Sequence, residues 1–535
     1  MLLKGEKATK KAWLVGGGIA SLSAAVFMVK DGGIRGENIS ILEQGEEWGG
    51  AMGCDGDTSK GYLVRGGNML EYEQYQTLLY LLSEIPSAAD PAVSVKEEIE
   101  DFNKKVRIHA GARLVERNGS ITDTSGMGLQ EGDRLKLIAL VAQTESMLKK
   151  STIEDYFSSH FLSSHFWYMW SSAFGFQPWH SVVEFKRYIQ KYMHEFSQSN
   201  TMTGMKQTPL NPYDSVILPL TNWLRERDVK FETGCRVDNL LFGKHPESDE
   251  QVVKTIQYTR KSKKYTIEVE PEDMVIVTNG SMGEAYSVGS MSKAPKANGK
   301  KESASWKLWK KISENRPGLG NPSAFCADPQ KTMGELFTVT CEAGNEFLKM
   351  MEQFSGNKPG TGAIVTLKDS TWLLSVIVPP QPHFMNQPKE TTVFWGYGQY
   401  PEKPGDFVQK KMTECSGGEI LREVLYQLKM GEYFDEMSAT SQCIPCILPY
   451  KTAPFMPREE NDRPQICPQG YHNLAFASQF AEMPEGIVSS MEYSVKCAMY
   501  AVYEFLGLDK KYIPEYYKGD KKMGIIWDSL KTLHK

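Results

Sequence analysis

The sequence predicts an α/β protein, a Rossmann-like βαβ core interrupted by a helical and a mixed α/β insertion. Three observations predict it. The segment AWLVGGGIASLSAAVFMVKDGGIRGENISILE (12–43) joins an apolar strand, a glycine turn, a small-residue helix and a second strand closed by an acidic residue. Apolar strands with turn signals return at 211–242, 271–285 and 472–486. Between them lie an aromatic stretch of helical period and a run of alternating strands and helices.

In the first unit, Gly16 lets the chain turn after Ala12–Val15, and Gly18 lets the backbone come close to a pyrophosphate. The helix from Ile19 to about Lys30 then offers the free N–H groups of Ile19 and Ala20 and a positive dipole end. Ser21 takes the place of the third fingerprint glycine and is small enough for helix–strand contact. Glu43, at the end of the second strand, is placed to accept hydrogen bonds from ribose hydroxyls. The rival interpretation is a secretory signal or membrane span, since Met1–Lys11 is basic and an apolar run follows. Three consecutive glycines and the shortness of that run argue against it.

Composition narrows the function. A formal charge of −5 gives no reason to expect nucleic acid as a partner. Nine cysteines, an odd number without framework spacing, imply reduced thiols and a cytoplasmic setting. Cys443 and Cys446 form a CxxC with no second pair or histidine doublet at ligand spacing, so two buried thiols and no metal are expected.

After Glu43 the chain is dense in glycine, and loops containing Gly49 and Arg65-Gly66-Gly67 suit close wrapping of a flavin cofactor. A helix is expected from Met69 to about Leu82, a strand pair near 106–115, and a helix from Glu131, with a capping box at Thr152–Asp155. Val182, Phe185, Ile189, Tyr192 and Phe196 recur at helical spacing and would wall an apolar cavity, with Tyr188 one turn from Phe185 and Tyr192. A helix from Ser215 to Arg227 precedes strands at 229–232 and 237–241, where the Val237 backbone is a candidate adenine contact. Asn279-Gly280-Ser281 and Ser478 follow later apolar strands and are further candidate cofactor contacts. The expected division is 1–82, 211–290 and 441–507 for the cofactor core, 83–210 for a mostly helical substrate-lining part, and 291–440 for a mixed α/β part. Residues 508–535 form a basic amphipathic tail suited to a membrane surface or to docking on the protein.

Seven stretches carry a family resemblance: GGGIASLSAAVFMVKDG, GYLVRGGNM, FWYMWSSAFGFQPWHSVVEFKRY, PYDSVILPL, QPHFMNQPKETTVFWGYG, IPCILPYKTAPFMPR and NLAFASQFAEMPEGIVSSMEYSV. Together they resemble the oleate hydratase family, once called myosin-cross-reactive antigens, over roughly 12–507. The resemblance implies an enzyme that holds FAD and adds water across the cis-9 double bond of oleate, giving the 10-hydroxy acid with no net redox change. It also implies that Tyr188 is the proton donor. A phenol with an ordinary pKa of about 10 needs nearby positive charge or reduced flavin to become a better one. Where many members read RGGREME this chain reads RGGNMLE, so Met69 stands in place of the glutamate assigned to activating water. Asn68 and Glu71 are the substitutes to consider, and Met69, Gln381 and His383 are expected near the substrate. Short termini relative to some members suggest a monomer. The competing interpretations are a flavin oxidoreductase of the amine oxidase or desaturase type and a non-catalytic fatty-acid-binding flavoprotein.

Overall fold

In the computed structural model of the chain, residues 10–67, 69–296, 303–342 and 345–515 are described. Five strands build a parallel sheet: β1 (Ala12–Val15), β2 (Ile39–Leu42), β3 (Lys230–Glu232), β4 (Met274–Val277) and β5 (Leu474–Phe476). Their spatial order is β5-β4-β1-β2-β3, with Ala12 opposite both Ile39 and Met274. Every residue of β2 and β4 is buried, as parallel strands covered on both faces require. Helix α1 (Ile19–Lys30) connects β1 to β2, and its small residues are buried. The last helix, α5 (Met491–Phe505), packs against it.

A second, seven-stranded sheet is antiparallel except at one edge, where Leu114–Val115 runs parallel to Val365–Leu367. One face of it packs Phe337, Val339 and Cys443 under the helix Gly417–Gln427. The other presents Leu336, Trp395 and Leu448 in a separate cluster. Cys443 and Cys446 are free and buried in one of its strands, Ser441–Leu448. The helical part supplies α3 (His165–Phe174) and α4 (Val182–Tyr192), held in an aromatic core that includes Phe161, Phe166, Trp167, Trp170 and Phe185.

Several expectations are corrected. Met69 does not begin a helix: Met69–Glu71 is a strand paired antiparallel with Met205–Gln207, and helix α2 begins only at Gln76 (Gln76–Leu82). The Glu71 carboxylate accepts the N–H groups of Glu73 and Gln74 and so stabilises a turn between strand and helix. Of the strand pair near 106–115 only Leu114–Val115 forms, because His109 and Ala110 donate their N–H groups to Thr361 and Thr201 in loops. The capping box at Thr152–Asp155 is present with both of its hydrogen bonds. No helix among the described residues is long and apolar enough to cross a membrane. The greater part of the basic tail, 516–535, lies outside the described residues.

One buried acid links the two ends of the chain. Glu492 of α5 accepts the N–H groups of Thr77 (3.1 Å) and Leu78 (2.8 Å), supplying from outside the cap that α2 lacks. Burial outweighs these hydrogen bonds and pushes its carboxyl up to about 7. A native pKa above the unfolded value means the folded protein holds the proton longer, so the stabilisation is present at low pH and is lost as pH rises from 4.5 to 7. Over that window the wild type should lose about 3 kcal/mol of unfolding free energy relative to Glu492→Gln. Denaturant titration of both proteins across the window measures it, and a pH-independent difference would contradict the assignment.

Candidate active site

The carboxyl ends of β1, β2, β4 and β5 all open onto one cavity of about 690 Å³. Ligands of open α/β sheets bind at such an edge. Gly16 has φ +101°, a left-handed conformation, and a Cβ there would lie 3.1 Å from Thr278. A Cβ on Gly17 would strike the Trp48 ring at 2.7 Å and the Glu43 carboxylate at 2.9 Å. Gly18 differs, because a Cβ there would meet nothing within 4 Å. Gly18 is also the N-cap of α1 with no side-chain cap, so the first turn keeps free N–H groups beside the cavity wall formed by Ile19 and Ala20. This cradle fits the pyrophosphate of a dinucleotide cofactor.

Glu43 lines the same wall. Burial raises its pKa, while the N–H groups of Gly17 (2.6 Å) and Gly45 (2.8 Å) act in the opposite direction and fix its orientation. Gly49 closes over the turn by donating to the Gly17 carbonyl at 2.9 Å. Arg65 donates from Nε to the Gly53 carbonyl at 2.8 Å, and its guanidinium lies 4.3 Å from the Tyr286 ring centroid. Gly66, Gly67, Met69, Gly280, Ser281 and Ser478 also line the cavity. Ser478 Oγ bonds to the Asn279 carbonyl and side chain at 2.9 and 2.8 Å, joining the turns after β4 and β5.

Tyr188 reaches the cavity from α4. It is buried among Phe174, Phe176, Tyr192 and Phe455, and its hydroxyl donates to the Val488 carbonyl at 2.5 Å. Burial, then Tyr75 and Glu184, push its pKa well above the usual phenol range. The positive charge expected beside it is therefore not what sets its acidity. Besides Arg65, the cavity wall carries the cation Lys451, whose ammonium burial makes less basic; its Nζ donates to the Arg65 carbonyl at 3.4 Å.

Five candidates stand off the cavity wall. Asn279 is buried and used in the β4–β5 tie. Val237 lies in a separate antiparallel sheet, since the chain leaves β3 at Gly234 and Cys235, which donate their N–H groups to Gly45 and Glu43. Glu71 faces His194 and Glu195 instead, with His194 Nε2 at 3.7 Å. Gln381 spends its amide on Pro379, Val393 and Gln387. His383 is fully enclosed, and burial pushes its imidazole down to about 3, so it is a neutral core residue. Asn68 lies outside the described residues.

A family model described as the MCRA family matches residues 9–503. The chain belongs to that family. It is 34% identical to a protein named oleate hydratase from Streptococcus pyogenes serotype M49 (strain NZ131), over 93% of this chain and 85% of that one. It is 31% identical to a linoleate hydratase from Lactiplantibacillus plantarum, over 93% and 94% of the two chains. A solved oxidoreductase from Methanosarcina mazei aligns with 92% of this chain and 100% of its own, at a TM-score of 0.48 and 13% identity. This MCRA protein is accordingly a hydratase.

Sequence pattern missed several polar residues of this cavity. Gln177, Trp395 and Thr278 line it, and their enclosed Oε1, Nε1 and Oγ1 atoms have no hydrogen-bond partner among the described residues. Gln399, which accepts a hydrogen bond from Gln177 at 2.9 Å, and Tyr397, bonded to the Ser172 carbonyl, complete a polar rim. The only sequence signal at these positions was polar residues in otherwise apolar stretches.

Gly18→Val should separate binding from folding. Its φ of −79° and ψ of 177° accept a β-branched residue, so unfolding free energy without cofactor should change by no more than about 0.5 kcal/mol. Affinity for FAD, titrated by flavin fluorescence, should fall tenfold or more; unchanged affinity would remove the cradle from the site.

Proposed function

We propose that the chain adds water across the cis-9 double bond of oleic acid and related unsaturated fatty acids, giving 10-hydroxy fatty acids without net redox change, and that it holds FAD to do so. The observation that carries this reading is the continuity of one cavity, from the glycine cradle at Gly16–Ala20 to the Tyr188 phenol among aromatic walls. An isolated alkene needs a proton on one carbon and water on the other, inside a space that bulk solvent does not flood. The aromatic faces of Phe174, Tyr192 and Phe455 exclude water and can stabilise a developing cation through their ring quadrupoles.

Tyr188 holds the proton to be delivered, and the Val488 carbonyl fixes the direction of its O–H. Its raised pKa keeps that proton in place across the physiological range. The proton released by the attacking water must return to the phenol oxygen before the next turnover. Bound in the cradle, FAD would supply a polar ring system beside the substrate. Met69 lines the cavity but its thioether cannot take a proton, so another wall residue has to orient the water; Gln177, whose enclosed Oε1 has no hydrogen-bond partner among the described residues, would serve once its side chain turned toward the cavity. Met69 also favours a second reading, a protein that binds fatty acids without turning them over.

The test is anaerobic incubation of protein, FAD, dithionite and oleic acid in isotopic water, read by mass spectrometry. Hydration gives a product heavier by one water, with its oxygen and one carbon-bound hydrogen drawn from solvent. Tight binding with no such product would leave the second reading. Tyr188→Phe should cost about a hundredfold or more in kcat with fatty-acid affinity nearly unchanged; equal kcat would take Tyr188 out of the proton transfer.

A further inference from the structure

A second, smaller pocket of about 50 Å³ adjoins the cavity and shares Ala173, Phe174, Tyr192, Met202 and Met205 with it. Phe166, Met169 and Trp170 make the rest of its wall largely apolar. Into this wall is set Arg113, a guanidinium only 2% exposed. Buried cations are ordinarily paired with acids, because desolvation costs several kcal/mol that neutral partners recover only in part. Arg113 has no such partner among the described residues. Its Nη1 donates to the Ile364 carbonyl at 2.8 Å and its Nη2 to the Met169 carbonyl at 3.0 Å, while the buried Nε–H has no acceptor. Of the five N–H donors on a guanidinium, the second hydrogens of Nη1 and Nη2 remain for a ligand, since the Nε–H is itself enclosed. Besides the Tyr192 phenol, three other polar side chains line the pocket: Ser199, whose Oγ donates to the Phe196 carbonyl at 2.9 Å, and Glu195 and Gln198. Glu195 lies 3.5 Å from His194 Nε2, and Gln198 Oε1 accepts from Thr203, so neither answers the charge of Arg113.

A long apolar wall ending in one unbalanced buried cation matches an amphiphile with one terminal carboxylate. We propose that Arg113 anchors the carboxylate of the fatty acid, with the hydrocarbon chain running past Met202, Met205 and Phe174 into the main cavity at Tyr192, one helical turn from Tyr188. This deepens the proposed function and rests on it for the identity of the substrate. An anchor at this end also fixes which end of the acid enters first, and so which carbon of the double bond stands at the phenol.

The experiment compares palmitic acid with hexadecanol, neither of which can be hydrated, as competitors for a fluorescent fatty acid on the flavin-loaded protein. The wild type should bind the acid at least tenfold more tightly than the alcohol. Arg113→Met should abolish that preference by weakening the acid alone, and Arg113→Lys should restore part of it. Equal wild-type affinities, or a preference that survives in Arg113→Met, overturn the proposal. If Arg113→Met does not fold, the wild-type ratio and Arg113→Lys still decide: a ratio unchanged by lysine, which cannot present a planar fork, counts against the anchor. Absence of hydration by the wild type would sink the hydratase reading but leave these binding ratios intact, so the two failures are distinguishable.

Discussion

The position of Tyr188 depends on a buried charge network. Glu184, one turn before it on α4, has no solvent exposure and pairs with the equally enclosed Arg463 at 2.9 Å and with Arg458 at 3.4 Å. Arg187, the residue before Tyr188, holds Glu145 and Glu482 at 2.8 and 3.1 Å, and Arg458 reaches Glu482 at 2.8 Å. Burial alone would raise the Glu184 carboxyl, but Arg463, Arg187 and Arg458 together outweigh it and hold it below its usual range. Removing one member of such a set leaves an uncompensated charge, worth about 3–5 kcal/mol. The network binds α4 to the 458–482 segment, and Val488, which orients the phenol, follows directly in the chain. Solvent ions screen the fully enclosed Glu184–Arg463 pair far less than they would a surface pair, so this tie of α4 depends little on ionic strength.

The Tyr188 end and the glycine-turn end of the cavity are built on opposite electrostatic terms. At the glycine turn, free N–H groups, Arg65 and Lys451 favour anionic ligand groups. Around Tyr188 the side chains that move its pKa are phenolic or acidic, and all of them resist formation of a phenolate. A cation forming on the substrate is tolerated there more readily than an anion forming on the enzyme. Delivery of the Tyr188 proton would leave a phenolate there, so the step has to be concerted with return of a proton from the attacking water.

The βαβ unit was legible because its signals are local: Gly16, Gly18 and Glu43 are positioned by the strand and helix on either side of them. The aromatic helix was legible for the same reason, and Tyr188 reached the cavity as its spacing suggested. Met69–Glu71 was misread as helix because what makes it a strand is Met205–Gln207, far along the chain and silent in a local window. Val237 stands off the cavity wall because a two-residue exit at Gly234–Cys235 carries the chain into another sheet. Gln381 and His383 sit in a motif whose polar atoms serve its own loop or the core, a distinction that residue type does not encode. Arg113 was passed over since an isolated arginine in sequence gives no sign that it will be buried without an acid.

The cap that Glu492 places on α2 joins residues 415 apart in the chain. During synthesis at roughly 5–20 residues per second, α2 waits about 20–80 s for its cap. Strand β5, an edge of the parallel sheet beside β4, emerges nearly as late, at residues 474–476. For most of translation the parallel sheet is therefore incomplete, with one side of β4 open to pairing with other chains. A nascent protein of this design depends on protection of that edge until its last strand arrives.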